Sequence, residues 1–248
     1  MKNLRHRRVA GRTTLQTPAI WLHNPKTGRN GLLVLTAHLG ETRYFERLQQ
    51  LVEHEGVPVF YESVRARSTD EAHWREPYHR FLKTLREDLY EGISALGLLA
   101  FQTDHMKPDA SWINADVDCC ELADELRARE VSVGRYQMAL GVLQSLVTRA
   151  KNGDEGARAT LIRTLKWGLI AVSVTGVIEF VRFLPKSRRF HLVINDWRSK
   201  HAVNAVERAN TDGFVLIYGA AHGDSLMAGF ERAGFRELRR EWHTVFAT

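Results

Sequence analysis

From about residue 18 onward, the spacing of apolar and polar positions divides this chain into segments of strand length and helix length. Leu32-Leu33-Val34-Leu35-Thr36-Ala37 and Phe214-Val215-Leu216-Ile217-Tyr218-Gly219 are continuous apolar runs, the pattern of strands buried on both faces. Pro18 to His23 and Gly31 to Ala37 read as a β-hairpin joined by the turn-rich stretch Asn24-Pro25-Lys26-Thr27-Gly28-Arg29-Asn30. From Glu41 to Glu55, Tyr44, Phe45, Leu48, Leu51 and Val52 recur at helical spacing, and after Gly56 the run Val57 to Tyr61 predicts the next strand. Strand, helix and strand make a βαβ unit, which implies a parallel pair with a right-handed crossover.

Asp70 to Tyr90 reads as a charged helix with Trp74, Tyr78, Phe81, Leu82, Leu85 and Leu89 as its apolar stripe. Gly97 to Phe101 predicts a short buried strand, with Gln102, Asp104 and His105 in the loop after it. Asp118 is placed to cap a helix carrying Leu122, Ala123 and Leu126. Helices follow over Gly134 to Ala150 and Glu155 to Leu184, the second broken near Gly168 or Gly176. Asn195-Asp196-Trp197-Arg198 opens another, with Trp197, His201, Ala202, Ala205, Val206 and Ala209 on its inner face. Strand Phe214 to Gly219, helix Asp224 to Ala233 and strand Phe235 to Phe246 close the chain. The expected fold is α/β: a single domain over 18–248 with a mixed, mainly parallel central sheet flanked by helices, and a helical insertion around 118–184.

A net charge of +6 arises in part from Lys2, Arg5, Arg7, Arg8 and Arg12, so residues 1–17 read as a basic, frayed N-terminal tail. No interleaving of aromatic and basic residues accompanies it, so nucleic acid is not an expected partner. The adjacent Cys119 and Cys120 offer no Cys-x-x-Cys spacing and read as buried free thiols in a reducing compartment. No apolar segment follows the basic start, which points away from a signal peptide and toward a cytoplasmic location. Trp167 to Ile178 carries no charge for 12 residues, short of the roughly 20 a membrane span needs. A buried helix is expected there, with peripheral membrane contact through 165–184 left open.

The chemistry lies just past the strands. His38 and His222 each follow an apolar run that ends in small residues, and Val57-Pro58-Val59-Phe60-Tyr61 leads straight into Glu62. Side chains just beyond the carboxyl ends of parallel strands point into the crevice where ligands bind. Two imidazoles and a carboxylate are sufficient to hold a divalent metal.

Thr36-Ala37-His38, the strand-end Glu62 and Gly219-Ala220-Ala221-His222 resemble the motifs of the TraB/PrgY family, which is related to the Tiki metalloproteases. More remotely the pattern is similar to erythromycin esterases and ChaN-like proteins, which implies an EreA/ChaN-like fold. The resemblance runs from about Ala19 to Phe246 and includes the closing stretch from Gly223 to Phe246. It places Arg198 near the family's functional arginine and matches Trp112-Ile113-Asn114-Ala115-Asp116 to a short acidic segment before a helix. Asp116 either supports the site or merely leads into that helix. Leu35 stands where the family has glycine.

The resemblance implies a divalent-metal hydrolase with manganese or cobalt favoured, while the residue types alone admit zinc equally. His38, Glu62 and His222 are the expected metal ligands, and Glu62 is also a candidate general base on the attacking water. Arg198 is the expected stabiliser of the oxyanion formed on an amide or ester carbonyl. Expected substrates are a peptide or a small-molecule ester. The alternative is a non-catalytic, ChaN-like module that binds haem or another small molecule.

Overall fold

Strands that are apolar on both faces belong in the interior of a sheet covered on both sides, and the fold puts them there. The computed structural model describes residues 3–9, 12–65, 77–84, 89–175 and 189–247. Its strands are β1 (Arg5–Val9), β2 (Arg12–His23), β3 (Asn30–Thr36), β4 (Leu39–Gly40), β5 (Val59–Tyr61), β6 (Ala100–Phe101), β7 (Ile113–Asn114), β8 (Gly213–Gly219) and β9 (Arg236–Ala247). β4 and β6 form a small antiparallel ladder, and the others make one sheet. β9 lies along one edge of β2, while β1 and β3 share the other, against Arg12–Gln16 and Ala19–His23 respectively. Beyond β3 come β8, β5 and β7, each parallel to its neighbour. Every strand of this sheet except β2 therefore runs the same way.

The helices are α1 (Thr42–His54), α2 (Pro77–Lys83), α3 (Glu91–Ala95), α4 (Gln102–His105), α5 (Cys119–Ala128), α6 (Gly134–Lys151), α7 (Glu155–Thr175), α8 (Arg198–Ala209) and α9 (Gly223–Arg232). Alternate residues of β3 and β8 serve opposite faces of the sheet. Leu32, Val34, Val215 and Ile217 pack in one core with Tyr44, Phe45, Leu48 and Val52 of α1. Leu33, Leu35, Phe214, Leu216 and Tyr218 pack in the other with Ala202, Val203 and Val206 of α8 and Leu226 and Phe230 of α9. Each such buried side chain contributes on the order of 1.5–3 kcal/mol.

Several sequence expectations change. The βαβ unit exists, but its two strands are not neighbours, because β8 is inserted between β3 and β5. Residues 5–9 and 12–17 are not a tail: they are β1 and the start of β2, with Leu15 fully buried. The charged residues there made the segment read as solvated, yet Arg5 stacks 4.4 Å over the Trp242 ring of the distant β9. Gly97 to Phe101 contributes only β6, outside the main sheet, and Gln102 to His105 is the short α4 rather than a loop.

The helix expected over Asp70 to Tyr90 is described as α2 over Pro77–Lys83, while 70–76 and 85–88 lie outside the described residues. α7 runs without a break through Gly168 to Thr175, and 176–184 lie outside the described residues. Among the described residues, no helix is long and apolar enough to cross a membrane. The expected cap is present: Asp118 accepts from the backbone of Cys120 and Glu121, and Glu121 accepts in return from the backbone of Asp118.

Candidate metal and acid–base site

Inserting β8 between β3 and β5 aligns the carboxyl ends of three parallel strands. Thr36 is level with Gly219 and Tyr61 with Ile217, so His38, Glu62 and His222 leave the sheet side by side. His222 closes a 3-10 turn, Ala220–His222, immediately before α9. Gly219 sits at the centre of the group. A Cβ there would lie 3.0 Å from Glu62 Oε2 and 3.3 Å from His38 Nε2, so any larger residue would press on both side chains.

Glu62 is held from both ends. The Gly219 N–H donates to Oε2 at 2.5 Å, and Arg198 Nη2 donates to Oε1 at 2.6 Å. Burial alone would raise the Glu62 pKa, yet the charges of Arg198 and the two histidines and the Gly219 bond hold it at about 2. His222, also buried, is pushed down to about 4, chiefly by desolvation, which the negative Glu62 only partly offsets. The pair is therefore a carboxylate and a neutral imidazole at pH 7, with His222 Nε2 3.6 Å from Glu62 Oε1.

Both imidazoles are tied back through Nδ1. His38 Nδ1 lies 3.1 Å from Gln102 Oε1, and His222 Nδ1 lies 3.1 Å from the Ser199 hydroxyl. Nδ1 held by a protein oxygen, with Nε2 turned to the centre, is how metal-ligating histidines are usually fixed. His38 is half-buried and rests against the Tyr90 ring at 5.6 Å, whereas Glu62, Arg198 and His222 are almost fully covered. Burial and the Glu62 charge together raise the Tyr90 hydroxyl to about 12.

Behind Glu62, Arg198 Nε donates to Asp116 Oδ1 at 3.0 Å and Nη2 to Asp116 Oδ2 at 2.5 Å. The Tyr218 hydroxyl also donates to Asp116 Oδ1, at 3.1 Å. Asp116 is thus the buried counterpart of Arg198, not simply a lead into α5. Two carboxylates share one guanidinium, and Arg198 is locked against Glu62. Arg198 is the first residue of α8, and a π-helical turn, Leu192–Trp197, runs directly into it. Such turns recur where a helix must redirect a functional side chain.

The donor chemistry fits a divalent ion: two imidazoles tied back through Nδ1 stand beside a buried, ionised carboxylate. His38 and His222 would be ligands, and Glu62 would act beside them. The arc is open, however. Among the described residues, the donors whose ligand atoms all lie within 4.8 Å of one another are those of His79, Cys119 and Cys120. His105 stacks on Phe45 at 6.2 Å.

Sequence reasoning missed Gln102, Ser199 and Tyr218. The one signal for Tyr218 was a hydroxyl in an otherwise apolar strand, and Ser199 stood beside the flagged Arg198. Compared with known proteins, the chain matches no family model, no curated protein and no solved structure.

Proposed function

We propose that this chain is a divalent-metal-dependent hydrolase of the TraB/PrgY and Tiki type, with an EreA/ChaN-like fold, acting on a peptide or ester bond. One observation carries the reading: His38, Glu62 and His222 converge around Gly219 from three adjacent strand ends, each imidazole with its Nδ1 engaged. A divalent ion held there supplies Lewis acidity and makes water a nucleophile near neutral pH. Manganese or cobalt is the favoured ion, with zinc also suited to the donor set.

Glu62 is the general base. It is ionised at neutral pH, its Oε1 and Oε2 are oriented by Arg198 and Gly219, and its Oε1 lies 3.6 Å from His222 Nε2, so a water held by the histidines would stand beside it. Arg198 acts first as the group that keeps Glu62 charged and aimed, with Asp116 and Tyr218 fixing Arg198 in turn. His38, half-buried, is the most open of the three strand-end residues, and a substrate carbonyl would approach from its side.

The test is metal content of protein purified without chelator, together with His38→Ala and His222→Ala. A loss of about one equivalent of manganese, cobalt or zinc in both folded variants relative to the native chain, along with peptide or ester hydrolysis, is expected. Failure of the native protein to take up any of these ions would overturn the reading. Metal uptake without turnover of either substrate class would replace the hydrolase with a binding module.

A further inference from the structure

A second group of metal-type donors lies away from His38, Glu62 and His222. His79, on the short α2, meets Cys119 and Cys120, the first two residues of α5, with all three ligand atoms within 4.8 Å of one another. His79 and Cys119 are buried, at 3% and 5% exposure, and Cys120 is half-buried. Neither cysteine is in a disulfide.

We propose that His79, Cys119 and Cys120 form a binding site for zinc, separate from the strand-end site. The donor set is one imidazole and two sulfurs, the chemistry that selects a soft or borderline cation over manganese or magnesium. Around a tetrahedral zinc, such donors sit about 3.5–3.8 Å apart, so closure needs only small side-chain rotations from the spacing observed. Two thiolates and one divalent cation make a neutral unit, which a buried setting tolerates far better than separate charges. Both sulfurs belong to the first turn of a capped helix, where the dipole favours negative charge. Binding breaks two S–H bonds, forms two metal–sulfur bonds and one metal–nitrogen bond, and releases two protons to solvent without oxidation or reduction.

Its place in the fold gives the site a role. Cys119 follows Asp116 by three residues, and Asp116 is the carboxylate that holds Arg198. Zinc clips α2 to the start of α5 and so stiffens the segment leading back to Asp116. The two sites also sort metals by type: sulfur and imidazole for zinc here, imidazole and carboxylate for a harder ion at Glu62.

Cobalt(II) titration of the full, reduced, metal-free chain separates the two sites, because only cysteine gives a thiolate-to-cobalt charge-transfer band. The band should saturate within two equivalents, vanish when zinc is added, and persist in His38→Ala and His222→Ala. It should be lost in Cys120→Ser and weakened in His79→Asn, with circular dichroism confirming that each variant is folded. Cys120 is the better probe, because serine at the more deeply buried Cys119 risks the fold. Absence of the band in the native chain, or its survival in both Cys120→Ser and His79→Asn, overturns the proposal.

Discussion

His222 presents Nε2 to Glu62 Oε1 across 3.6 Å, a neutral imidazole facing an ionised carboxylate. Such a pair is not a salt bridge. It leaves negative charge in a buried cluster with only Arg198 to balance both Glu62 and Asp116. A cation placed between the two groups removes that imbalance, whereas protonating His222 requires charging a desolvated ring.

That relationship fixes how stability depends on pH. The folded-state pKa of His222 lies near 4, below its ordinary 6.5, so the unfolded chain takes up the proton more readily. The stabilisation is complete above about pH 6.5 and is lost as pH falls toward 4. Glu62, depressed from 4.5 to about 2, adds a second loss at lower pH in the same direction. The urea midpoint of metal-free protein should fall between pH 7 and pH 5, and fall less in His222→Gln. Parallel pH profiles for the two proteins would show that His222 does not titrate in this way.

Arg198→Met strands two buried carboxylates. Removing one partner of a buried ion pair costs about 3–5 kcal/mol, and here Glu62 and Asp116 both lose theirs. Arg198→Lys keeps the charge but not the planar fork and should fall between the two. Urea unfolding at pH 7 measures the series. A loss below about 1 kcal/mol for Arg198→Met, the range of exposed pairs, would mean that water reaches these carboxylates.

Gly219→Ala should leave the fold intact and spoil the site. Its Cβ would press on Glu62 Oε2 and His38 Nε2 at 3.0 and 3.3 Å. Disturbing groups that orient metal ligands typically weakens affinity by about 10- to 100-fold, and calorimetric titration with manganese or cobalt should register a loss of that order. Unchanged affinity would show that the side chains give way freely.

Leu35 and Gly223 are fitted to each other. A Cβ at Gly223 would lie 2.6 Å from Leu35 Cδ1 and 2.5 Å from Asn3 Cγ, so any larger residue at the start of α9 must displace one or both side chains. Gly223→Ala should cost about 1–3 kcal/mol by overpacking and Leu35→Ala about 2–5 kcal/mol by leaving a cavity. The double variant should lose less than the sum of the two. Strict additivity in thermal unfolding would show that the pair does not interact.

The parts of the site that could be read in the sequence were those carried by local pattern. His38, Glu62 and His222 each stand just after an apolar run, so the run lengths alone placed them at strand ends. The Asp118 cap and the apolar face of α1 were legible for the same reason, since both depend on residues a few positions apart. Asp116 was ambiguous because its role is set by Arg198, 82 residues away. His79 carried no signal: its partnership with two adjacent cysteines follows no spacing rule and arises only when α2 packs beside α5.

The sequence by itself determined that this chain is α/β, which segments are strands buried on both faces, and which polar residues emerge from their ends. Tertiary structure decided the order of those strands. β8 enters between β3 and β5, and β1, read as a tail, pairs with β2. The physical reason is range: side-chain periodicity is a property of neighbouring residues, whereas strand order follows from how distant apolar faces pack. Only that packing brings His222 beside His38 and Glu62 and sets Arg198 between Glu62 and Asp116.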